Sequence, residues 1–358
     1  FDRLPTNRDT ERADVMRHQN TVFAELLKHV PWSGFEQLVE KHGSDYRVRR
    51  LSTKSQLIAL IHGQLSGATS LRAIVTGQQS HAARLYHLGA KAAQRSTLAD
   101  ANASRPSELF AELLALLMKQ AHRGLRRKMA ETTFLIDSTS LRLNALSNWA
   151  CFSAGVFGAK VHVVYDPNAD RPVYSMVSAA NVNDITAAHA MPIVPGATYV
   201  FDLGYYDYRW WAKLDAKGCR IVTRLKSNTP LALVKELPVA KGSNILLDRI
   251  GYLPARQAAS RQNPFQDPVR EVRVLLDTGK VIRILCNDLD ATAQEIADLY
   301  KQRWAIELFF RWVKQVLKIK TFFGTSENAV RIQVAVALIT FLLLRLAQAT
   351  QTTVASPL

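Results

Sequence analysis

TTFLID (residues 132–137), AKVHVVYD (159–166) and RPVYSMVSA (171–179) follow one another as short runs rich in β-branched and aromatic residues, each closed by turn-forming residues. They predict three consecutive strands. A helical piece, DITAAHAM (184–191), comes next. The strand ATYVFD (197–202), the helix YYDYRWWAKLDAKG (205–218) and the strand CRIVTRL (219–225) complete the series. Three strands followed by helix–strand alternation indicate a mixed α/β sheet.

The pattern differs on both sides. Residues 16–130 read as helical throughout, with TVFAELLKHVPW placing Val22, Phe23, Leu26, Leu27 and Val30 at helix spacing before Pro31. The preceding residues 1–15 are polar, mixed in charge, and read as an extension. Downstream, residues 226–290 hold the strand-like segments NILLDRIGYL, VREVRVLLD and KVIRILCN among prolines and glycines, which suggests an inserted β-rich subdomain. A long helix, TAQEIADLYKQRWAIELFFRWVKQVLKIK (292–320), and an apolar helix at 329–348 follow. The expected organisation is therefore a helical domain at 16–130, a core at 131–225 and 291–328, an insertion at 226–290 and a C-terminal helical segment at 329–358.

Composition narrows the partner. Lys and Arg total 46 against 30 acids, a formal net charge of +16, and a field of that sign draws polyanions, above all nucleic acid. Residues 1–130 alone carry 20 Lys/Arg against 11 Asp/Glu. The cluster Arg47, Arg49, Arg50 and Lys54 precedes a helix for which Ser52 or Thr53 supplies the cap, an arrangement suited to DNA binding or to a helical packing domain with a basic surface. The three cysteines are far apart and lack metal-ligand or disulfide-framework spacing, which points to a reducing, cytoplasmic setting. Val334–Leu344 is too short for a bilayer span and reads as a buried helix. No signal peptide is visible and no membrane partner is expected.

Asp137 and Asp202 each close an apolar strand. Were those strands neighbours, the two carboxylates would converge, and their repulsion would call for a cation. Mg²⁺ or Mn²⁺ accepts such oxygen ligands, and two ions about 4 Å apart suit phosphodiester chemistry. Alone, either acid is as well explained as a turn residue. The long helix adds the discriminating feature: Tyr300, Arg303, Glu307, Arg311, Lys314 and Lys318 fall within about 80° of arc. The opposite side carries Leu299, Ile306, Phe309, Phe310, Val313, Val316 and Leu317. One acid in a cationic stripe suits a metal ligand flanked by phosphate-gripping groups.

The spacing Tyr300-x2-Arg303-x3-Glu307-x6-Lys314 matches a Y-R-E-K pattern, and with FLIDSTSL around Asp137 and FDLGYYD around Asp202 the chain resembles DDE transposases of bacterial insertion sequences. The resemblance runs from about residue 16 to the end. It implies an RNase H-like core and cut-and-paste transposition by a synaptic dimer on terminal inverted repeats of double-stranded DNA. Asp137, Asp202 and Glu307 would then hold two metal ions, with Tyr300, Arg303 and Lys314 on the DNA backbone. It also implies a hairpin intermediate, in which an aromatic side chain holds a displaced base. Residues 226–290 contain no Trp, which leaves Trp304 as the alternative holder or as a packing residue. Relatives of this kind continue past the ending VASPL, so a dimerisation segment is expected beyond it.

Lys160 and His162 share a strand face and are candidates for phosphate contact or for the core. Asp207 with Arg209, and Asp166, Asp170 and Asp184, read as cap and turn residues. Two other functions remain compatible at this point: a metal-dependent nuclease without strand transfer, and a DNA-binding remnant.

Overall fold

A computed structural model describes residues 22–123, 132–315 and 322–350. The expectations for residues 1–15, Val316, Leu317, Lys318 and the segment after VASPL lie outside the described residues. In chain order the helices α1 (Val22–Leu27), α2 (Trp32–Lys41), α3 (Thr53–Leu65), α4 (Leu71–Gln79), α5 (Ala82–His87), α6 (Arg95–Ser104) and α7 (Ser107–Arg123) come first. Strands β1 (Thr133–Arg142), β2 (Cys151–Ser153), β3 (Val156–Asp166) and β4 (Arg171–Ala179) follow, then α8 (Asp184–Ala190), β5 (Thr198–Phe201), α9 (Tyr208–Asp215) and β6 (Arg220–Arg224). The β-rich stretch comprises β7 (Ala232–Glu236), β8 (Ile245–Tyr252), β9 (Arg256–Ala258), β10 (Arg261–Gln262), β11 (Val269–Leu275) and β12 (Val281–Cys286). Helices α10 (Ala293–Gln302), α11 (Trp304–Gln315) and α12 (Glu327–Thr350) end the described chain.

The chain divides into two compact units, one formed by residues 22–123, Leu141–Gly158 and the described residues from Arg311 onward, the other by 132–140 and Ala159–Phe310. In the helical unit, α3 is buried over most of its surface, polar residues such as Ser55, Gln56 and Gln64 included. Leu57, Ile58, Leu60 and Ile61 are all buried, so neighbouring helices surround it. Ser52 caps it, its hydroxyl accepting from the Ser55 amide at 3.2 Å. Helix α12 packs against α7, α3, α6 and α1. By length and apolarity alone it could cross a bilayer, but its Val334–Leu343 stretch is buried within this unit, as the sequence predicts. Asn328 pins its start, donating to the Asn102 and Arg105 carbonyls at 3.0 and 2.6 Å and accepting from the Ser107 amide at 3.1 Å.

The second unit is a mixed α/β structure around one sheet, ordered β4-β3-β1-β5-β6-β12-β11-β8-β7 within this unit. β3 and β4 are antiparallel, whereas β1, β5 and β6 run parallel. These five strands, with α8 to α10, form the mixed α/β core that the sequence predicts. Phe201, Tyr205, Tyr208, Trp210, Trp211 and Leu214 are all buried in an aromatic core on one face. Helix α10 packs against β5, β6, β11 and β12. Two features depart from expectation. The β-rich stretch continues the core sheet, because β12 pairs with β6 (Cys286↔Val222, Leu285↔Thr223, Ile284↔Arg224). The single long helix is divided, with Arg303 as the C-cap of α10.

Candidate active site

Register brings the first two acids together. Ile136 on β1 pairs with Phe201 on β5, and Phe201 with Thr223 on β6. One residue further along these parallel strands stand Asp137, Asp202 and Arg224. Adjacent strands lie about 4.8 Å apart, so the two carboxylates and one guanidinium form a row. Asp202 ends its strand, as the sequence predicts. Asp137 does not: β1 runs on to Arg142, and what ends beside Asp137 is its neighbour β5. Asp202 caps the short turn Leu203–Tyr205, its Oδ1 accepting from the Gly204 amide at 2.8 Å.

Arg303 brings in the third acid. Its Nη2 donates to Glu307 Oε1 at 2.5 Å, and its Nη1 lies 3.4 Å from Asp137 Oδ2. Tyr300 is close by, with the Arg303 guanidinium 5.9 Å from its ring centre. Burial pushes the Tyr300 hydroxyl up, and the charges of Arg303 and Arg224 pull it down. Burial raises Asp137 to about 6; the Ser138 amide opposes this, the Asp202 charge adds to it, Arg303 opposes and Glu307 adds. A carboxylate raised by burial and by other carboxylates is one whose charged form a cation restores.

That electrostatic pattern is the test of whether a divalent ion fits. The donors are hard oxygens, and a positive group already bridges two of them. As they lie, no three His, Cys, Asp or Glu side chains among the described residues are grouped closely enough to hold a metal. The guanidinium takes the place between Asp137 and Glu307. In its chemistry, though not in its present grouping, the donor set of carboxylate oxygens suits a hard cation.

The other candidates fall in different places. Trp304 is 53% exposed, which argues against a packing role. Arg311 is exposed and Lys314 half-buried on α11. Arg47, Arg49 and Arg50 are exposed on the turn between α2 and α3, the Arg47 guanidinium lying 5.2 Å from the Tyr46 ring centre. Of the two readings of His162, its burial favours the core: it is fully buried, pairs with Ser178 Oγ at 2.9 Å, and burial lowers it to about 4, with the Asp184 charge opposing and the Lys160 charge adding. Lys160 is half-buried and donates to the Val182 carbonyl at 3.0 Å and to Asp184 at 3.1 Å, so it too is held inward. Asp207 caps α9 and Asp166 closes its turn through the Asn168 and Ala169 amides, both as predicted.

Sequence reasoning missed Arg224. Its Nε is buried without a hydrogen-bond partner among the described residues. The signal was available: IVTR is a third apolar run closed by a charged residue, like FLID and YVFD.

The family described as "Transposase DDE domain" matches residues 128–343. The chain belongs to the DDE transposases. A domain family of unknown function also matches residues 18–91. A Sinorhizobium fredii protein named as a transposase is 42% identical over 252 residues, covering 70% of each chain. A Geobacillus stearothermophilus protein, named as the transposase of insertion sequence element IS5377, is 32% identical over 67% of this chain and 63% of its own. Among solved structures, a piggyBac transposase synaptic complex with hairpin DNA gives a TM-score of 0.47 at 10% identity, covering 98% of this chain and 78% of that one. This DDE transposase is thus an insertion-sequence enzyme that acts on DNA, and the domain it carries implies dependence on a divalent metal.

Proposed function

We propose that the chain cleaves DNA at the ends of its own insertion sequence and transfers the freed strands to a target. Asp137, Asp202 and Glu307 hold two Mg²⁺ or Mn²⁺ ions. The observation that carries this reading is the β1–β5 register, which leaves two carboxylates side by side while Arg303 links Glu307 to one of them. When bound, two such ions activate the attacking hydroxyl and stabilise the leaving oxygen. The side chains of this chain do the rest. Tyr300, Arg303, Arg311, Lys314 and Lys318 grip backbone phosphates near the cleaved end. Arg47, Arg49 and Arg50 help bind the terminal inverted repeat. Two copies act together in a cytoplasmic synaptic complex. The route is cut-and-paste through a hairpin, with Trp304, exposed beside Arg303, taking the displaced base.

The test uses the full chain, Mg²⁺ or Mn²⁺ and a labelled duplex ending in the element's own repeat. Nicking followed by hairpin and strand-transfer products is expected. Asp137→Asn, Asp202→Asn and Glu307→Gln should each abolish cleavage while retaining repeat binding. Cleavage surviving in Glu307→Gln would overturn the ligand assignment, and cleavage without transfer products would reduce the enzyme to a nuclease.

A further inference from the structure

Asp184 reads in the sequence as a helix cap, but the N-cap of α8 is Asn183 and that helix start has no side-chain cap bond. The Asp184 carboxylate turns elsewhere. Its Oδ1 accepts from the Ser138 hydroxyl at 2.8 Å and from the Lys160 ammonium at 3.1 Å, and lies 3.6 Å from His162 Nδ1. Ser138 is therefore held twice, since its amide also donates to Asp137 Oδ1 at 2.7 Å. A short chain of bonds thus runs from Asp184 through Ser138 to Asp137.

Asp184 also stands beside the turn that Asp202 caps. A Cβ placed on Gly204 would stand 2.9 Å from Asp184 Oδ2 and 3.0 Å from Asp202 Oδ1. The glycine lets both carboxylates approach one point of the backbone. Tyr205, fully buried, lies among the same groups. Burial, and after it the charges of Asp184, Asp137 and Asp202, push its hydroxyl well above its ordinary value. Lys160 supplies the positive charge that lets a further carboxylate stand here without added repulsion. The ion pair itself is partly exposed, with side chains 18% and 22% accessible, and pairs of this kind contribute little to stability.

We propose that Asp184 is a positioning residue of the catalytic centre, holding the Ser138 hydroxyl so that Asp137 keeps the orientation in which it receives metal. This rests on the reading of Asp137 as a metal ligand. Groups that orient a ligand carboxylate typically change metal affinity or activity by about 10- to 100-fold when removed.

The experiment compares the full-length protein with Asp184→Ala, Asp184→Asn, Ser138→Ala and the Asp184→Ala/Ser138→Ala double variant, with Asp137→Asn as reference. Two quantities are read: Mn²⁺ affinity of the DNA-free protein by calorimetry, and kcat and KM for cleavage of the terminal-repeat duplex. Asp184→Ala and Ser138→Ala should each weaken Mn²⁺ binding about tenfold and lower kcat alike, with KM for DNA within about twofold. The double variant should be no worse than either single one, because both remove the same link. Asp184→Asn keeps an acceptor for Ser138 and should recover most of the loss. Where Asp184→Ala fails to fold, Ser138→Ala and Asp184→Asn decide. Wild-type Mn²⁺ affinity in Ser138→Ala, additive losses in the double variant, or no recovery in Asp184→Asn would each overturn the proposal. If Asp137→Asn is inactive while Asp184→Ala and Ser138→Ala match wild type, only the positioning role fails. If Asp137→Asn itself keeps Mn²⁺ affinity and cleavage, the ligand reading fails with it.

Discussion

Arg303 and Glu307, four residues apart across the junction of α10 and α11, are joined at 2.5 Å, and the same guanidinium lies 3.4 Å from Asp137. One cation thus faces two of the three acids assigned to metal. Replacing it with Arg303→Gln should leave the carboxylates with less compensation. Metal should then stabilise the variant more than wild type, because a tighter ligand raises Tm further at a given concentration. Thermal melts with and without Mg²⁺ measure this, and an unchanged metal-induced shift would refute it. Cleavage should nevertheless fall at saturating metal, since the phosphate-gripping group is gone.

Gly204 separates two carboxylate ends, and its substitution is a geometric test. Gly204→Ala puts a methyl within about 3 Å of Asp184 Oδ2 and Asp202 Oδ1. Both are tips of side chains and can move, so the fold should survive with a Tm loss of about 2–4 °C. Cleavage should fall by about tenfold or more. Equal losses in both measurements would mean that the position matters only for folding.

Glu271 is fully buried between Arg249, Arg273 and Arg283, bonded to each at 2.6–2.9 Å. Burial raises its pKa, but the hydrogen bonds from Arg283, Arg273 and Arg249 outweigh that and bring it to about 2 from an ordinary 4.5. Its folded-state pKa lies below its unfolded one. The stabilisation, on the order of 3 kcal/mol, is therefore fully present above pH 4.5 and lost as pH falls through about 2. Urea unfolding followed from pH 6 to pH 2 should show this loss, and Glu271→Gln should lack it. The same variant leaves three arginines without a counter-charge and should cost about 3–5 kcal/mol at neutral pH.

Trp211 is fully buried in the aromatic core and donates through Nε1 to the Tyr205 carbonyl at 3.0 Å. Trp211→Ala should cost about 3–5 kcal/mol in chemical denaturation. Trp211→Phe keeps most of the packing and loses the bond to the turn that follows Asp202. It should cost less stability and proportionately more cleavage.

Much of this was legible in the sequence because it was local. FLID and YVFD announced buried strands, the second ending at its acid, and Ser52 and Asp207 announced helix starts. The pairing of Arg303 with Glu307 followed from four-residue spacing, although the helix divides at Arg303. What was not legible depended on distant pairing or depth. Two-residue alternation put Lys160 and His162 on one face but could not say that His162 is wholly enclosed. Ser138-Thr139-Ser140 resembled a turn, yet continues as strand while β5 stops. Arg224 needed the register of three separate strands, and Asp184 needed a contact 46 residues back along the chain.

The pairing of β12 with β6 has a further consequence, for how this enzyme can be taken apart. The stretch from β7 to β12 cannot be lifted out as a cassette: without it, β6 would expose a bare row of amides and carbonyls, an invitation to sheet-to-sheet association. A trimmed core would be sticky rather than minimal. The strand left uncovered is also the one carrying Arg224, next to the strand that leads into Asp202. Shortening the loops between those strands is the safer way to make this enzyme smaller.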